Sequence, residues 1–246
     1  MNADHAAQLR LLDLQGADTT LAQLAHRRAT LPELAALAEN QRATDALTND
    51  IVDSETALGD IADEQRRLEN EVDVVRTRAA RDDQRLQTGG LPAKELESLQ
   101  HEITSLARRQ GVLEDDLLEV MEQLEQSENV LRELRARRSV LDAERVQLTQ
   151  VRDDAFTEID RAAALKTSER SLIAQNIPAD LLALYEKARE HSGGVGAAML
   201  RARRCEGCRI ELSGSELSAV RTAAPDEVVR CENCRRILVR TAESGL

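Results

Sequence analysis

Apolar residues recur at alternating spacings of four and three from Leu47 through Ile51, Leu58, Ile61, Leu68, Val72, Val75, Ala79 and Leu86, interrupted only by Ser54, Gln65 and Asp82. A 3.5-residue period held over more than five heptads specifies a left-handed coiled coil rather than a helix lying on a globular core. The period restarts at Leu96 and continues through Leu99, Ile103, Leu106, Leu113, Leu117, Val120, Leu124, Leu131, Leu134 and Leu141, with Gln110, Ser127 and Arg138 as interruptions. Farther on, Arg145, Arg152 and Lys166 occupy the nominal seam, so looser packing is expected there. Between the two runs lies Thr88-Gly89-Gly90-Leu91-Pro92. Paired glycines accept positive φ at a helix C-terminus, and proline suits the first turn of the next helix. The pattern therefore predicts an antiparallel hairpin, with helices over 33–87 and 93–176.

The segment 3–30 carries Leu9, Leu12, Leu14, Leu21 and Leu24 at broadly helical spacing and is expected to lie along the third helix as an interrupted extension of the second. The break falls near Leu31-Pro32, because proline inside a helix costs ~3 kcal/mol or more, and the Thr30 hydroxyl is expected to cap the restart. Matched to the arginine-interrupted seam, this first segment is expected to be the more mobile half of the arm and the place where a partner helix exchanges in. After the third helix, Ile177-Pro178-Ala179-Asp180 opens a short helix ended by Ser192-Gly193-Gly194, and 195–200 reads as a strand. The runs Val228-Val229 and Ile237-Leu238-Val239 suit further short strands. The fold class expected is mainly α: a long antiparallel coiled-coil hairpin over 1–176, then a short helix and a small β-containing domain over 177–246.

Composition agrees with that architecture. Charged residues make up 32% of the chain, hydrophobic ones 41%, and there is one Tyr, one Phe and no Trp, the balance of amphipathic helices rather than of a layered core. The four cysteines change the picture at the carboxy terminus. Cys205-Glu206-Gly207-Cys208 and Cys231-Glu232-Asn233-Cys234 are two Cys-x-x-Cys pairs separated by 22 residues. In a reducing compartment such pairs read as metal ligands before disulfides. Four protein thiolates close a tetrahedral site and leave no position for water, which favours one structural zinc per chain over a redox dithiol pair or iron. Gly207 and Asn233 tolerate left-handed φ and are expected to shape the two turns.

Three stretches, Lys94-Glu95-Leu96-Glu97-Ser98-Leu99 with Glu102-Ile103, Cys205-Glu206-Gly207-Cys208, and Cys231-Glu232-Asn233-Cys234 followed by Arg236-Ile237-Leu238, carry a resemblance. The chain resembles the bacterial four-cysteine zinc-ribbon family with an amino-terminal coiled-coil hairpin, over essentially its whole length. It departs at Arg235, where the family usually has Gly, and at Val239, where an aromatic is common. The resemblance implies zinc binding and adaptor or regulatory roles. It also implies protein partners, in some relatives those of flagellar or type III secretion assembly, and nucleic-acid binding has been proposed within the family.

Nothing else in the sequence nominates chemistry. His5, His26, His101 and His191 have no ligand spacing with one another or with the cysteines. Thr88-Gly89-Gly90 through Lys94 lacks the Gly-Lys-Ser/Thr ending of a phosphate-binding loop. Pairs such as Asp82-Asp83 and Asp115-Asp116 read as solvated helix faces, and no serine, histidine and acid set can be named. The expectation is a non-enzyme without a small-molecule substrate. Lacking a cationic leader with an apolar run, or eighteen consecutive apolar residues, the chain is expected to be cytoplasmic without membrane contact.

The net charge of -12 is unevenly spread: 195–246 holds nine arginines and seven acids, a balance of +2, leaving -14 for the rest. Arg201, Arg203, Arg204, Arg209, Arg235, Arg236 and Arg240 are thus candidate nucleic-acid or anion contacts, weighed against a role in solvating the small domain and balancing an anionic metal site. Base stacking is unavailable there, since 195–246 has no aromatic residue. The reading is a non-catalytic zinc-binding adaptor or regulator working through protein contacts of the coiled coil and ribbon, with a nucleic-acid-binding regulator as the alternative.

Overall fold

In the computed structural model, which describes all 246 residues, proline and glycine punctuate the helices as the periodicity predicts. Helix α1 spans His5–Ala29, α2 Pro32–Thr88 and α3 Ala93–Gln175. Pro32 takes the first position of α2, where its missing N–H leaves nothing unpaired. Gly89 and Gly90 adopt φ of 69° and 86°, and the Pro92 carbonyl accepts from the N–H groups of Glu95 and Leu96 at 2.9 and 3.1 Å. Thr30 behaves differently from expectation. Its hydroxyl donates to the His26 carbonyl at 2.8 Å, so it closes α1 instead of capping α2.

Contacts divide the chain into two compact units: Ala35–Thr149, and Met1–Leu34 together with Gln150–Leu246. This grouping places α1 and the end of α3 with the carboxy-terminal residues.

The unit Ala35–Thr149 is the hairpin. Leu68, Val72 and Val75 of α2 form one buried cluster with Leu106 and Leu113 of α3, and Leu47, Leu99 and Leu131 are buried along the same seam. The 3-4 spacing extends backward from Leu47 to Thr44 and Asn40, both buried. The Asn40 side-chain amide donates to the Leu141 carbonyl at 3.0 Å and to Glu144 Oε2 at 3.2 Å, a polar seam contact of the kind that pins register. Arg135 pairs with Glu55 at 2.6 Å and Arg76 with Glu114 at 3.0 Å, and Arg78 pairs with Glu102, rungs that place the helices antiparallel.

The other unit is built on a four-stranded sheet in the order β2-β1-β4-β3, with β1 at Ala197–Arg201, β2 at Arg204–Cys205, β3 at Val229–Arg230 and β4 at Ile237–Val239. Strands β1 and β4 run parallel with Ala197 opposite Ile237 and Met199 opposite Val239. Because side chains alternate across a strand, the sheet separates two cores. On one face Ala197, Ile237 and Val239 pack with Ala7, Leu11 and Leu14 of α1 and with Leu181 and Tyr185 of α4, Ala179–His191. On the other, Ala198, Leu200 and Leu238 pack with Cys205, Cys231, Leu212 and Val220. Val220 belongs to α5, Gly214–Thr222, a helix absent from the sequence reading although Ser213 and Glu216 form a complete capping box.

The first half of α1 is consequently not the loose end of the arm. Leu11 and Leu14 are 0% exposed, and residues ahead of the helix join the sheet margin, with Ala3 N–H donating to the Asp226 carbonyl at 2.7 Å and Val228 N–H to the Met1 carbonyl at 3.0 Å. Only the later part of α1, toward Ala29, is largely solvent-facing, and there Arg28 lies 4.0 Å over the Phe156 ring and pairs with Asp160 at 2.9 Å. No helix is long and apolar enough to cross a membrane.

Candidate metal centre

The two Cys-x-x-Cys turns have the same backbone construction. In the first, Arg209 N–H donates to the Cys205 carbonyl at 2.7 Å while Cys205 N–H donates to the Ile210 carbonyl at 3.1 Å; in the second, Arg235 N–H donates to Cys231 at 2.8 Å and Cys231 N–H to Arg236 at 2.9 Å. The left-handed positions are Arg209 and Arg235, each with φ 62°, not Gly207 and Asn233 as expected. Gly207 is needed for space: a Cβ there would stand 2.6 Å from Arg236 Cδ and 3.0 Å from the Ala198 Cβ. Arg235 thus holds the conformation that favours glycine, and as an arginine it accepts the steric cost of positive φ.

These turns bring Cys205, Cys208, Cys231 and Cys234 together with their sulfurs all within 4.8 Å of one another. Sγ of Cys205 lies 3.8 Å from that of Cys234, and Sγ of Cys208 3.9 Å from that of Cys231. A tetrahedron with zinc–sulfur bonds of about 2.3 Å has edges of about 3.8 Å, so the cage has the size of a zinc thiolate centre. The donors are four soft thiol sulfurs, one of the ligand sets usual for structural zinc. Cys205 and Cys231 are buried and Cys208 and Cys234 half-buried.

Electrostatics at the cage oppose four thiolates without a counter-charge. Burial pushes the Cys205 thiol well above the usual range, against the pull of the Cys208 and Gly207 N–H groups, with Cys231 and Cys234 adding repulsion. Cys231 is likewise raised, chiefly by burial. At Cys234 burial also raises, but the Arg236 N–H and guanidinium, together with Cys231 and Cys208, outweigh it and bring the thiol down to about 7. A dication relieves both the desolvation and the mutual repulsion of thiolates at once.

The seven candidate arginines separate into distinct roles. Arg236 points inward, donating to the carbonyls of Val195 at 3.1 Å and Ser192 at 2.6 Å. Arg240 does the same at the end of α5, reaching the carbonyls of Ala223 at 2.8 Å and Ala224 at 2.6 Å, with Glu227 at 2.9 Å. Arg201 pairs with Glu243 at 2.9 Å and Arg204 with Glu211 at 3.8 Å. Arg203, Arg209 and Arg235 are exposed, and Arg203 adds a 3.4 Å bond to the Gly245 carbonyl. The sequence reading missed a second polar centre, where Asp18 accepts from Tyr185 at 2.7 Å, Arg170 at 2.7 Å and Arg189 at 3.0 Å. Burial and Asp18 together push the Tyr185 hydroxyl far above its ordinary range. Asp18 lies 152 to 171 residues from Arg170, Tyr185 and Arg189 in sequence, and no local motif announces the meeting.

Comparisons with known proteins agree with this architecture. Residues 14–193 match the model of the CT398-like coiled coil hairpin domain, and residues 204–238 match the C4-type zinc ribbon domain. An uncharacterized protein of Mycobacterium tuberculosis is 40% identical over 243 residues, 98% of either chain, and one of Mycobacterium leprae is 33% identical over 214 residues, 87% of this chain and 91% of that one. A solved structure from Mycobacterium smegmatis shares 37% identity with a TM-score of 0.88, covering 98% of this chain and 100% of that one. CT398 from Chlamydia trachomatis, at 20% identity, shares the fold with a TM-score of 0.72 over 96% of this chain and 98% of its own. The C4-type ribbon and the clustered sulfurs assign one structural zinc as the cofactor. By its hairpin, its ribbon and these matches, the chain belongs to the CT398-like coiled coil hairpin family and carries a C4-type zinc ribbon at its carboxy-terminal end.

Proposed function

We propose that this protein is a non-catalytic adaptor or regulator that works through protein contacts of its coiled coil and ribbon, with zinc bound by Cys205, Cys208, Cys231 and Cys234. The observation that carries the reading is the closed donor set: four cysteine sulfurs gathered within 4.8 Å supply all the ligands of a tetrahedral ion and leave no position for substrate or activated water. The neighbouring polar groups support it. Arg236 and Arg240 are committed to backbone carbonyls, and the Asp18 centre is a satisfied ion-pair network.

The alternative, a nucleic-acid-binding regulator, rests on the exposed Arg203, Arg209 and Arg235. It lacks a stacking platform, because Tyr185 is fully buried and Phe156 lies beneath Arg28. Immobilised full-length protein challenged across a salt series separates the two. A defined protein partner retained at physiological salt supports the adaptor reading, whereas retention of nucleic acid that falls steeply with salt supports the alternative. If neither is retained, the adaptor reading fails.

A further inference from the structure

The metal site and helix α1 are attached to opposite faces of one very small sheet. Strand β4 has three residues. Leu238 packs beside Cys205 and Cys231, while its neighbours Ile237 and Val239 pack against Leu11 and Leu14 of α1. Strand β1 is divided in the same way, Ala198 and Leu200 toward the cysteines and Ala197 toward α1. In strands this short neither core can lose its support while the other keeps the same strand in place.

A hydrogen-bonded path reinforces the sheet. Beside the second Cys pair, Arg236 donates to the carbonyls of Ser192 and Val195 at 2.6 and 3.1 Å, and the Ser192 hydroxyl donates to the Cys234 carbonyl at 3.3 Å. The next residue, Gly196, receives the Ile237 N–H on its carbonyl at 2.9 Å. Its own N–H donates at 2.7 Å to Gln15 Oε1 of α1. The Tyr185 hydroxyl, whose proton goes to Asp18 at 2.7 Å, lies 3.1 Å from that oxygen, and the Gln15 amide nitrogen donates to the Gly194 carbonyl at 3.1 Å. Gly196 packs closely on α4 and leaves no room for a side chain, since a Cβ there would stand 2.6 Å from the Tyr185 carbonyl oxygen. Segment 192–196 is therefore held by the second Cys turn on one side and by Gln15 on the other.

We propose that occupancy of the zinc site controls the docking of α1: loss of the metal releases the first half of the helix from the sheet, and weakening that docking loosens the metal. The inference rests on the zinc reading. Coupling of this kind is reciprocal by linkage, so it is open to test from either end.

The experiment uses the full-length protein, its zinc content first fixed by metal analysis. Hydrogen exchange is followed before and after removal of zinc with a chelator, with fluorescence of Tyr185, the one tyrosine in a chain without tryptophan, as a second reporter inside the α1 interface. Amides from Ala7 to Asp18 are expected to lose protection by at least ~10-fold on chelation, with a concurrent change in tyrosine emission, while those of Leu68–Val75 in the hairpin keep theirs. From the other end, Gln15→Ala and Leu11→Ala, which touch no cysteine, are expected to weaken zinc affinity, measured by equilibrium competition with a chromophoric chelator, by ~5- to 150-fold, the ordinary range of site-to-site coupling. Leu113→Ala in the hairpin serves as the control and leaves that affinity unchanged. If α1 stays protected in zinc-free protein, or if both α1 variants bind zinc with the parent affinity, the coupling is overturned although the zinc reading stands. A chain that binds no zinc overturns both.

Discussion

The two compact units obey different physics although α2 and α3 run through both. The hairpin is quasi-one-dimensional: Leu68 to Val75 meet Leu106 to Leu113, each rung is supported by its neighbours, and exposed arginine–carboxylate pairs decorate the outside. The sheet-containing unit joins the first 34 residues to the last 97, and single hydrogen bonds there span large separations, 181 residues for Gln15 to Gly196. Its strands number two to five residues, too few to persist alone, so metal and α1 supply from two sides what the sheet lacks. One unit is stabilised by repetition and the other by closure.

Removing zinc should separate the units most sharply. Structural zinc sites in small domains are worth about 10 to 16 kcal/mol in apparent binding energy, so Cys208→Ser should abolish zinc binding and cost the ribbon its ordered sheet, while far-ultraviolet dichroism still reports most of the helix. Full zinc content in that variant would refute the ligand assignment. Acid should act in the same direction, because protons compete for the raised thiols of Cys205 and Cys231, and zinc release followed by metal analysis should increase as pH falls.

Leu11→Ala comes next in size. Leu11 is fully buried, and truncating such a side chain costs ~2 to 5 kcal/mol. Denaturant melts should show the loss in the sheet-containing unit, and an equal shift in the hairpin would contradict the division into two units. Tyr185 gives a pH test of the same core. Its folded pKa is raised, first by burial and then by Asp18, so its contribution is complete below the unfolded value of about 10 and is lost as pH rises beyond it. Thermal melts should show the sheet-containing unit weakening in that alkaline range, and Tyr185→Phe should remove this part of the dependence.

Ser213→Ala, which breaks the capping box of α5, should cost ~0.5 to 2 kcal/mol, measured as a lowered denaturation midpoint with zinc still bound. The smallest effect is expected from Arg135→Ala in the hairpin, whose exposed pair with Glu55 is worth ~0 to 1 kcal/mol. A large loss there would show that the hairpin depends on more than its seam.

By itself the sequence determined the seam from Leu47 to Leu141, the turn at Gly89-Gly90 with Pro92, the break before Pro32, and the gathering of four cysteines. Each depends on spacing along one segment or on a residue type whose chemistry survives any fold: a heptad pairs with a heptad, proline stops a helix, and paired Cys-x-x-Cys motifs seek a metal. The Ser213-x-x-Glu216 cap of α5 was legible too, hidden in a stretch with little periodicity. Only the tertiary structure decided that Ala3 to Asp18 belong to the ribbon's core and not to a mobile arm, because leucines at helical spacing mark an apolar face without naming the surface that covers it. It also decided that Arg236 and Arg240 turn inward to carbonyls and that Gly196 and Gly207 are needed for space. Those outcomes depend on which backbone atoms arrive beside a side chain from distant segments, and a local pattern does not encode the far partner.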